Sequence, residues 1–345
     1  MAYTSIDDPT LYFNTKLYTG NGSTNAITGV GFQPDWTICK ARSYNDSHFV
    51  FDAVRGATKH LQTNSTSAEV TNANSLTAFG TDGFTLGSDG GANSNGDTYA
   101  SWNWLASNTT ASNTDGSITS TVSANTTSGF SIVTWTGTGA NATVGHGLGV
   151  APKMVIIKNR SDGYDWIIYN QNIGNTGFLR LNTTAAYDTG INMFQNTDST
   201  SSFFSISSHG AVNTSGNNFI AYCFAEKKGY SKFGSYTGNG STDGTFVYTG
   251  FKPAFLIRKR TDSAVAWYLH DNKRDGYNVT QKWFSPNDSD AESTTQVELR
   301  VDFLSNGFKM RDPNGAANAS GGTYIYMAFA SNPFVTSTGI PTTAR

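Results

Sequence analysis

Five histidines, two cysteines and a recurring aspartate are the side chains best suited to chemistry, and their spacing limits what each can do. His48, His60, His146, His209 and His270 stand far apart, with no interval suited to a shared metal ion and no cysteine beside them. Each reads as a strand or solvent-facing histidine. Cys39 and Cys223 lie inside apolar runs, where a free thiol behaves as a small buried hydrophobe, and two cysteines are too few for a disulfide framework. Asp52 and Asp271 recur at matching places, but Asn170 stands at the third. An amide cannot replace a general acid or a nucleophile, so these positions read as structural. Neither a Gly-x-Ser-x-Gly elbow nor a P-loop occurs, and no helix follows Gly20-Asn21-Gly22 to hold a phosphate. No catalytic, cofactor-binding or metal residue is assigned, and no cofactor is expected.

Two ligand candidates remain. Within Asp89 to Asp97, the oxygen-bearing Asn93, Asn95 and Asp97 alternate as calcium ligands do. The bidentate Glu of an EF-hand is missing, and the matching place later in the chain offers only Asp312, Asn314 and Asn318, so a plain polar loop is the reading. Trp135, Trp166, Trp267 and Trp283 are candidate platforms for sugars. Trp166 and Trp267 are expected to lie under lysine stems, which leaves Trp283 in Lys282-Trp283-Phe284 as the one without a role.

The elements that carry these residues come from one unit written three times. The peptide Tyr18 to Thr24 returns unchanged at Tyr236 to Thr242, with a looser copy from Trp135 to Ala140. Tyr18, Trp135 and Tyr236 are 117 and 101 residues apart, while Pro34, Pro152 and Pro253, like Lys40, Lys158 and Lys259, are 118 and 101 apart. Such a period suits a small domain rather than a solenoid. The expected organisation is an arm over residues 1–13, repeats over 14–112, 118–228 and 229–332, and a second arm over 333–345.

Short runs of Val, Ile, Phe, Tyr and Trp between Gly, Ser, Asn and Asp clusters predict an all-β fold, three tandem sandwich or jelly-roll-like units. Asp82-Gly83 and Asn306-Gly307 predict hairpins. One hairpin has a definite register: Ile38 opposite Val50, Ile156 opposite Ile168 and Ile257 opposite Leu269. The same offset sets Lys158 opposite Trp166 and Lys259 opposite Trp267, with the ammonium groups expected in water. The units can surround a pseudo-threefold axis or lie end to end.

A net charge of −2 and a charged fraction of 14% leave no basic stripe for nucleic acid, and 13% aromatic residues suffice for three modest cores. No secretion leader or membrane span is expected. Leu11, Tyr12 and Phe13 in the first arm are expected to dock on the first unit or on a neighbouring subunit.

Ile6-Asp7-Asp8-Pro9 with Tyr12-Phe13, then Lys16 to Ser23, Asp52 to Gly56 and Asp82-Gly83-Phe84 carry a resemblance. The chain resembles uncharacterised, repeat-containing virion structural proteins of marine bacteriophages. The second copy departs most, with Ile173 where Arg55 and Arg274 stand. The resemblance implies a non-enzymatic virion component, a capsid decoration or a head or tail appendage, with other virion proteins and copies of itself as partners. The alternative is a glycan-binding adhesin at the receptor-binding part of a tail fibre, contacting host surface glycan.

Overall fold

Side chains alternate strictly on the strand after each landmark proline. Trp36 and Ile38, Met154 and Ile156, and Phe255 and Ile257 point to one side; Cys39, Val155 with Ile157, and Leu256 point to the other. A sheet that is apolar on both faces must be covered on both, and this requirement dictates the architecture. The computed structural model describes residues 3–293 and 298–342 and is all-β, built from antiparallel sheets.

Each copy forms one large sheet on a shared plan. In the first, Phe13–Thr19, Thr98–Trp104, Trp36–Ala41 and Phe49–Asp52 lie side by side, continued by Lys59–Gln62 and Val70–Thr71. In the second, the corresponding strands are Phe130–Thr136, Asn218–Phe224, Met154–Asn159 and Ile167–Asn170, continued by Gly174–Arg180. In the third they are Ser231–Thr237, Thr323–Pro333, Phe251–Arg260 and Tyr268–Asp271. The aromatic strand that closes each copy therefore sits inside its sheet. Ala111–Asn113 and Ser120–Asn125 add two further strands to the edge of the second sheet.

A smaller sheet covers the outer face of each large one. Its strands are Asn25–Thr28, Gly83–Leu86 and Leu76–Gly80 in the first copy, and Ala142–Gly145 with Phe203–Ile206 in the second. Phe246–Tyr248, Gly307–Met310 and Val301–Leu304 serve the third. Each pair of sheets encloses its own apolar layer, giving a sandwich-like unit.

The three inner faces meet one another in a single core. There Trp36 stacks on Tyr222 at 4.5 Å, Trp104 meets Phe255 at 5.5 Å and Phe224 meets Phe329 at 6.0 Å, so each copy touches both others. The copies thus surround a pseudo-threefold axis as a three-sided prism, and the end-to-end arrangement is excluded.

The hairpin register holds in all three copies: Ile38 pairs Val50, Ile156 pairs Ile168 and Ile257 pairs Leu269. The hairpins expected at Asp82-Gly83 and Asn306-Gly307 form, but their turns fall one residue earlier. The central residues are Thr81-Asp82 and Ser305-Asn306, because Gly80 pairs Gly83 and Leu304 pairs Gly307. These glycines begin the next strand, where a Cβ would lie 2.0 Å from the Ile27 carbonyl oxygen or 2.1 Å from that of Val247.

The first arm packs within its own chain and only partly on the first unit. Ile6 enters the shared core, Thr4 donates to the carbonyl of Lys228 at the end of the second copy at 2.9 Å, and Asp7 accepts from the Ser337 amide of the second arm at 2.7 Å. Phe13 belongs to the first strand and is buried, Tyr12 lies edge-on to Tyr230 at 6.0 Å, and Leu11 remains 52% exposed. Residues 1–2 of this arm and 343–345 of the second lie outside the described residues. Among the described residues, no helix is long and apolar enough to cross a membrane.

Candidate functional site

The polar side chains that recur in the sequence converge where one copy meets the next. Lys40, Lys158 and Lys259 stand on the strands facing these junctions, and all three are fully buried, contrary to the expected exposure of their ammonium groups. Each donates to one carbonyl of its own copy and one of a neighbour. Lys40 reaches Ala41 at 2.9 Å and Ser289 at 3.3 Å, and Lys158 reaches Tyr164 at 2.6 Å and Thr66 at 2.8 Å. Lys259 reaches Arg260 at 2.8 Å and Thr184 at 3.2 Å. An ammonium is suited to this place because it offers three donors and needs no acceptor of its own. Burial lowers each of the three from 10.5 to about 8. The indoles follow the same rule: Trp166 donates to the Gln62 carbonyl and Trp267 to that of Arg180, each at 2.8 Å across a junction.

Asp52 and Asp271 occupy the end of the paired strand, and both are buried ion-pair partners. Asp52 binds Arg55, whose guanidinium also reaches Glu69 at 3.2 Å and the Val50 carbonyl at 2.8 Å. The second copy completes this junction, with Tyr222 donating to Asp52 at 2.8 Å and Arg160 gripping Glu69 with two bonds of 2.9 Å. The junction of the third copy with the first repeats the arrangement. Asp271 binds Arg274 at 2.5 Å and accepts from Trp102 at 3.1 Å, while Glu292 takes Arg42 at 3.0 and 2.9 Å. These carboxylates accept from fixed donors, and those of Asp52 and Asp271 are fully buried. Their work is joining copies.

Asn170 at the remaining junction has the same explanation. The third copy has Met327 where Tyr222 and Trp102 stand, and a methionine has no proton to donate. A carboxylate there would lack its second partner, and the chain has an amide instead, with Ile173 packed on the shared core where an arginine would be. The amide oxygen accepts from the Asn172 amide at 2.9 Å.

The repeated heptapeptide forms a second set of locks. A one-turn helix in each copy, Gly90–Asn93, Gly210–Asn213 or Gly315–Asn318, ends on a fully buried asparagine. Asn93 accepts from the Asn21 amide at 3.0 Å and donates to the Ser23 carbonyl at 2.6 Å. Asn318 does the same with Asn239 at 3.0 Å and Ser241 at 2.9 Å, and Asn213 accepts from Thr138 at 2.9 Å. Two of the three calcium-loop candidates are engaged elsewhere: Asn93 faces the heptapeptide, and Asp97 binds Ser43 at 2.9 Å and Ser94 at 2.7 Å, while Asn95 is exposed. Among the described residues, no three His, Cys, Asp or Glu side chains gather as a metal site.

The remaining candidates are also fixed in place. Burial holds His48 and His270 well below the usual imidazole range, His146 bridges Leu148 and Thr200 at 3.1 Å, and His209 accepts from the Ala211 amide at 3.1 Å. His60 is buried against Phe49. Both thiols are free and buried, which pushes Cys39 up to about 12 and Cys223 higher still. Trp135 stacks on Phe219 at 5.3 Å, and Trp283 packs edge-on to Tyr268 at 5.1 Å beside the third copy's core.

Open clefts lie elsewhere. One of about 440 Å³ runs beside Thr15, Lys16 and Leu17 and includes Asp82 and Lys273. Another of about 360 Å³ lies beside Tyr277, which is 84% exposed, with Asn272, Asn278, Thr280 and Asn332. Sequence reasoning missed both, along with the junctions. For the junctions a signal was present: Asp and Arg recur three residues apart in two copies and are lost together in the other.

A family model described as a domain of unknown function (DUF7483) matches residues 8–333, a span that takes in all three copies. No curated protein and no solved structure matches the chain.

Proposed function

The chain belongs to the DUF7483 family, and from that premise we propose that it is a non-enzymatic structural protein of a virus particle, a capsid decoration or a head or tail appendage. The observation that carries this reading is the shared core with its interlocked junctions. The recurring aspartates and lysines join the three copies, and the family match spans all three rather than a single repeat. Polar side chains committed to joining copies suit a component of a particle. The resemblance of the first strands to phage virion proteins supplies the particle. Quantitative mass spectrometry of gradient-purified particles from the source culture tests the reading. The chain should be present at a fixed ratio to the major capsid protein, and recovery only in the soluble fraction would overturn it.

A second reading is glycan binding, and the Tyr277 cleft favours it. An exposed aromatic ring beside Asn272 and Asn332 offers a stacking face and amide groups to a sugar. Titration with host surface glycan should then give saturable binding that is lost in Tyr277→Ala. Trp283, the glycan platform considered from the sequence, is engaged in packing.

A further inference from the structure

We infer that the sheet edge of the first copy at Thr15 and Leu17 binds an extended segment of another polypeptide by strand addition, with a carboxylate of that segment meeting Lys16 and Lys273. This does not depend on the particle reading; it follows from comparing one edge in three copies.

The strand Phe13–Thr19 is the outermost of its sheet. The Leu105 amide donates to the Tyr12 carbonyl at 3.0 Å and the Gly20 amide to the Asp97 carbonyl at 2.8 Å, so the even-numbered residues face the neighbouring strand. Thr15 and Leu17 therefore direct their N–H and C=O groups away from the sheet, and no described residue pairs with them. The Thr15 hydroxyl is likewise buried without a partner.

The second copy shows what covers such an edge. Its equivalent strand, Phe130–Thr136, is paired by Ser120–Asn125, with Ser123 opposite Ile132 and Thr121 opposite Thr134. Ile132 and Thr134 correspond to Thr15 and Leu17. In the third copy the counterpart of Thr15 is closed by other means: the Phe233 carbonyl accepts from Asn172 at 3.0 Å and the Phe233 amide donates to Glu226 at 3.4 Å. Ser235, the counterpart of Leu17, pairs with no described residue, so the first copy differs in leaving both positions open among the described residues.

Charge selects the occupant. Lys16 and Lys273 both line the cleft, and the ion pairs that lysines make among the described residues involve Lys232, Lys282 and Lys309 instead. Asp82, the acid in the cleft, accepts from the amides of Gly29 at 2.9 Å and Gly31 at 2.7 Å. It lies close enough to attract Lys16 but forms no ion pair with it, and Lys273 has no carboxylate partner among the described ion pairs. Pairing this edge with the same edge of a second copy would bring lysines together, which is unfavourable for strands side by side. An acidic segment of a different chain satisfies both the backbone and the lysines.

The test uses the full chain and a labelled synthetic peptide copying residues 118–126 with Val122→Glu. Val122 lies opposite Val133, the counterpart of Lys16, so the new carboxylate would stand across from that lysine. Fluorescence anisotropy should show saturable binding, weakened at least about tenfold by Lys16→Glu and restored there by a peptide with Val122→Lys. Leu17→Pro should abolish binding, since it removes an outward N–H without breaking a rung of the sheet. Amide exchange at Thr15 and Leu17 of the unaltered chain should slow on binding, which decides the matter should the proline variant fail to fold. No saturable binding with no slowing, or binding that survives Leu17→Pro, would overturn the inference. So would a dimer of the chain alone that Leu17→Pro dissociates, because the occupant would then be a second copy.

Discussion

Two junctions of the prism are sealed by buried charge, and the third is sealed without it. Where the first copy meets the second, Asp52, Arg55 and Glu69 are completed by Tyr222 and Arg160; where the third meets the first, Asp271, Arg274 and Glu292 are completed by Trp102 and Arg42. Where the second meets the third, Asn170, Ile173 and Met327 occupy the corresponding places, and Thr261 stands where Arg160 and Arg42 do, its hydroxyl bonded to Thr323 of its own copy. Backbone pairing is unchanged: Glu69 to Arg160 at 2.8 Å, Glu292 to Arg42 at 3.1 Å and Tyr187 to Thr261 at 2.9 Å all cross their junctions. One geometry therefore accepts either chemistry, provided the set changes together. A buried carboxylate needs every donor around it, so losing the donor from one copy favours losing the charge from the next.

The largest effect should come from breaking one charged set incompletely. Arg55→Ala leaves Asp52 buried without its guanidinium, and urea unfolding should register a loss of about 3–5 kcal/mol. The double variant Asp52→Asn with Arg55→Ile copies the uncharged junction and should recover a large part of that loss. If the double variant is less stable than Arg55→Ala, the equivalence of the junctions is wrong.

The lysines are common to all three junctions, and pH addresses them together. Each is held at about 8 when folded against 10.5 as an ordinary lysine. Between these values the unfolded chain binds more protons, so stability rises with pH across the window. Below it both states are protonated, and the cost of the buried charges is constant. The unfolding midpoint should climb from pH 8 until tyrosines begin to ionise near pH ~10, and Lys158→Met should reduce the slope by about a third. A midpoint that falls steadily over that range would show that these amines are not the dominant titrating groups.

The smallest effect belongs to the charges of the uncharged junction's own neighbourhood. Arg180 bridges Asp165 at 3.0 Å and Asp188 at 2.8 Å, but all three side chains are partly solvated. Arg180→Gln should cost less than about 1 kcal/mol in the same urea experiment. A loss as large as that of Arg55→Ala would mean that this junction also depends on charge.

Much of the fold follows from local pattern. The alternation along Trp36–Ala41, Met154–Asn159 and Phe251–Arg260 is a property of strands, so the sheet, its register and the burial of Ile38, Ile156 and Ile257 can be read from residue order. The repeat likewise announces three equivalent units. What the heptapeptide does is not legible in the same way, because Asn21 and Asn239 meet Asn93 and Asn318 only across 72 and 79 residues.

The position of the lysine ammonium groups and the meaning of the aspartates depended on the tertiary structure. A lysine on an apolar strand ordinarily carries its charge to water, and only the arrival of a second copy with free carbonyls, Ser289, Thr66 and Thr184, makes full burial tolerable. Asp52 and Asp271 look interchangeable with Asn170 until their partners Tyr222, Trp102 and Met327 come into place from strands more than a hundred residues away. Sequence by itself determined which residues of each strand share a face, since that depends only on a period of two. Which apolar face meets which, and so which polar group acquires a partner, was decided by closing three sheets around one axis.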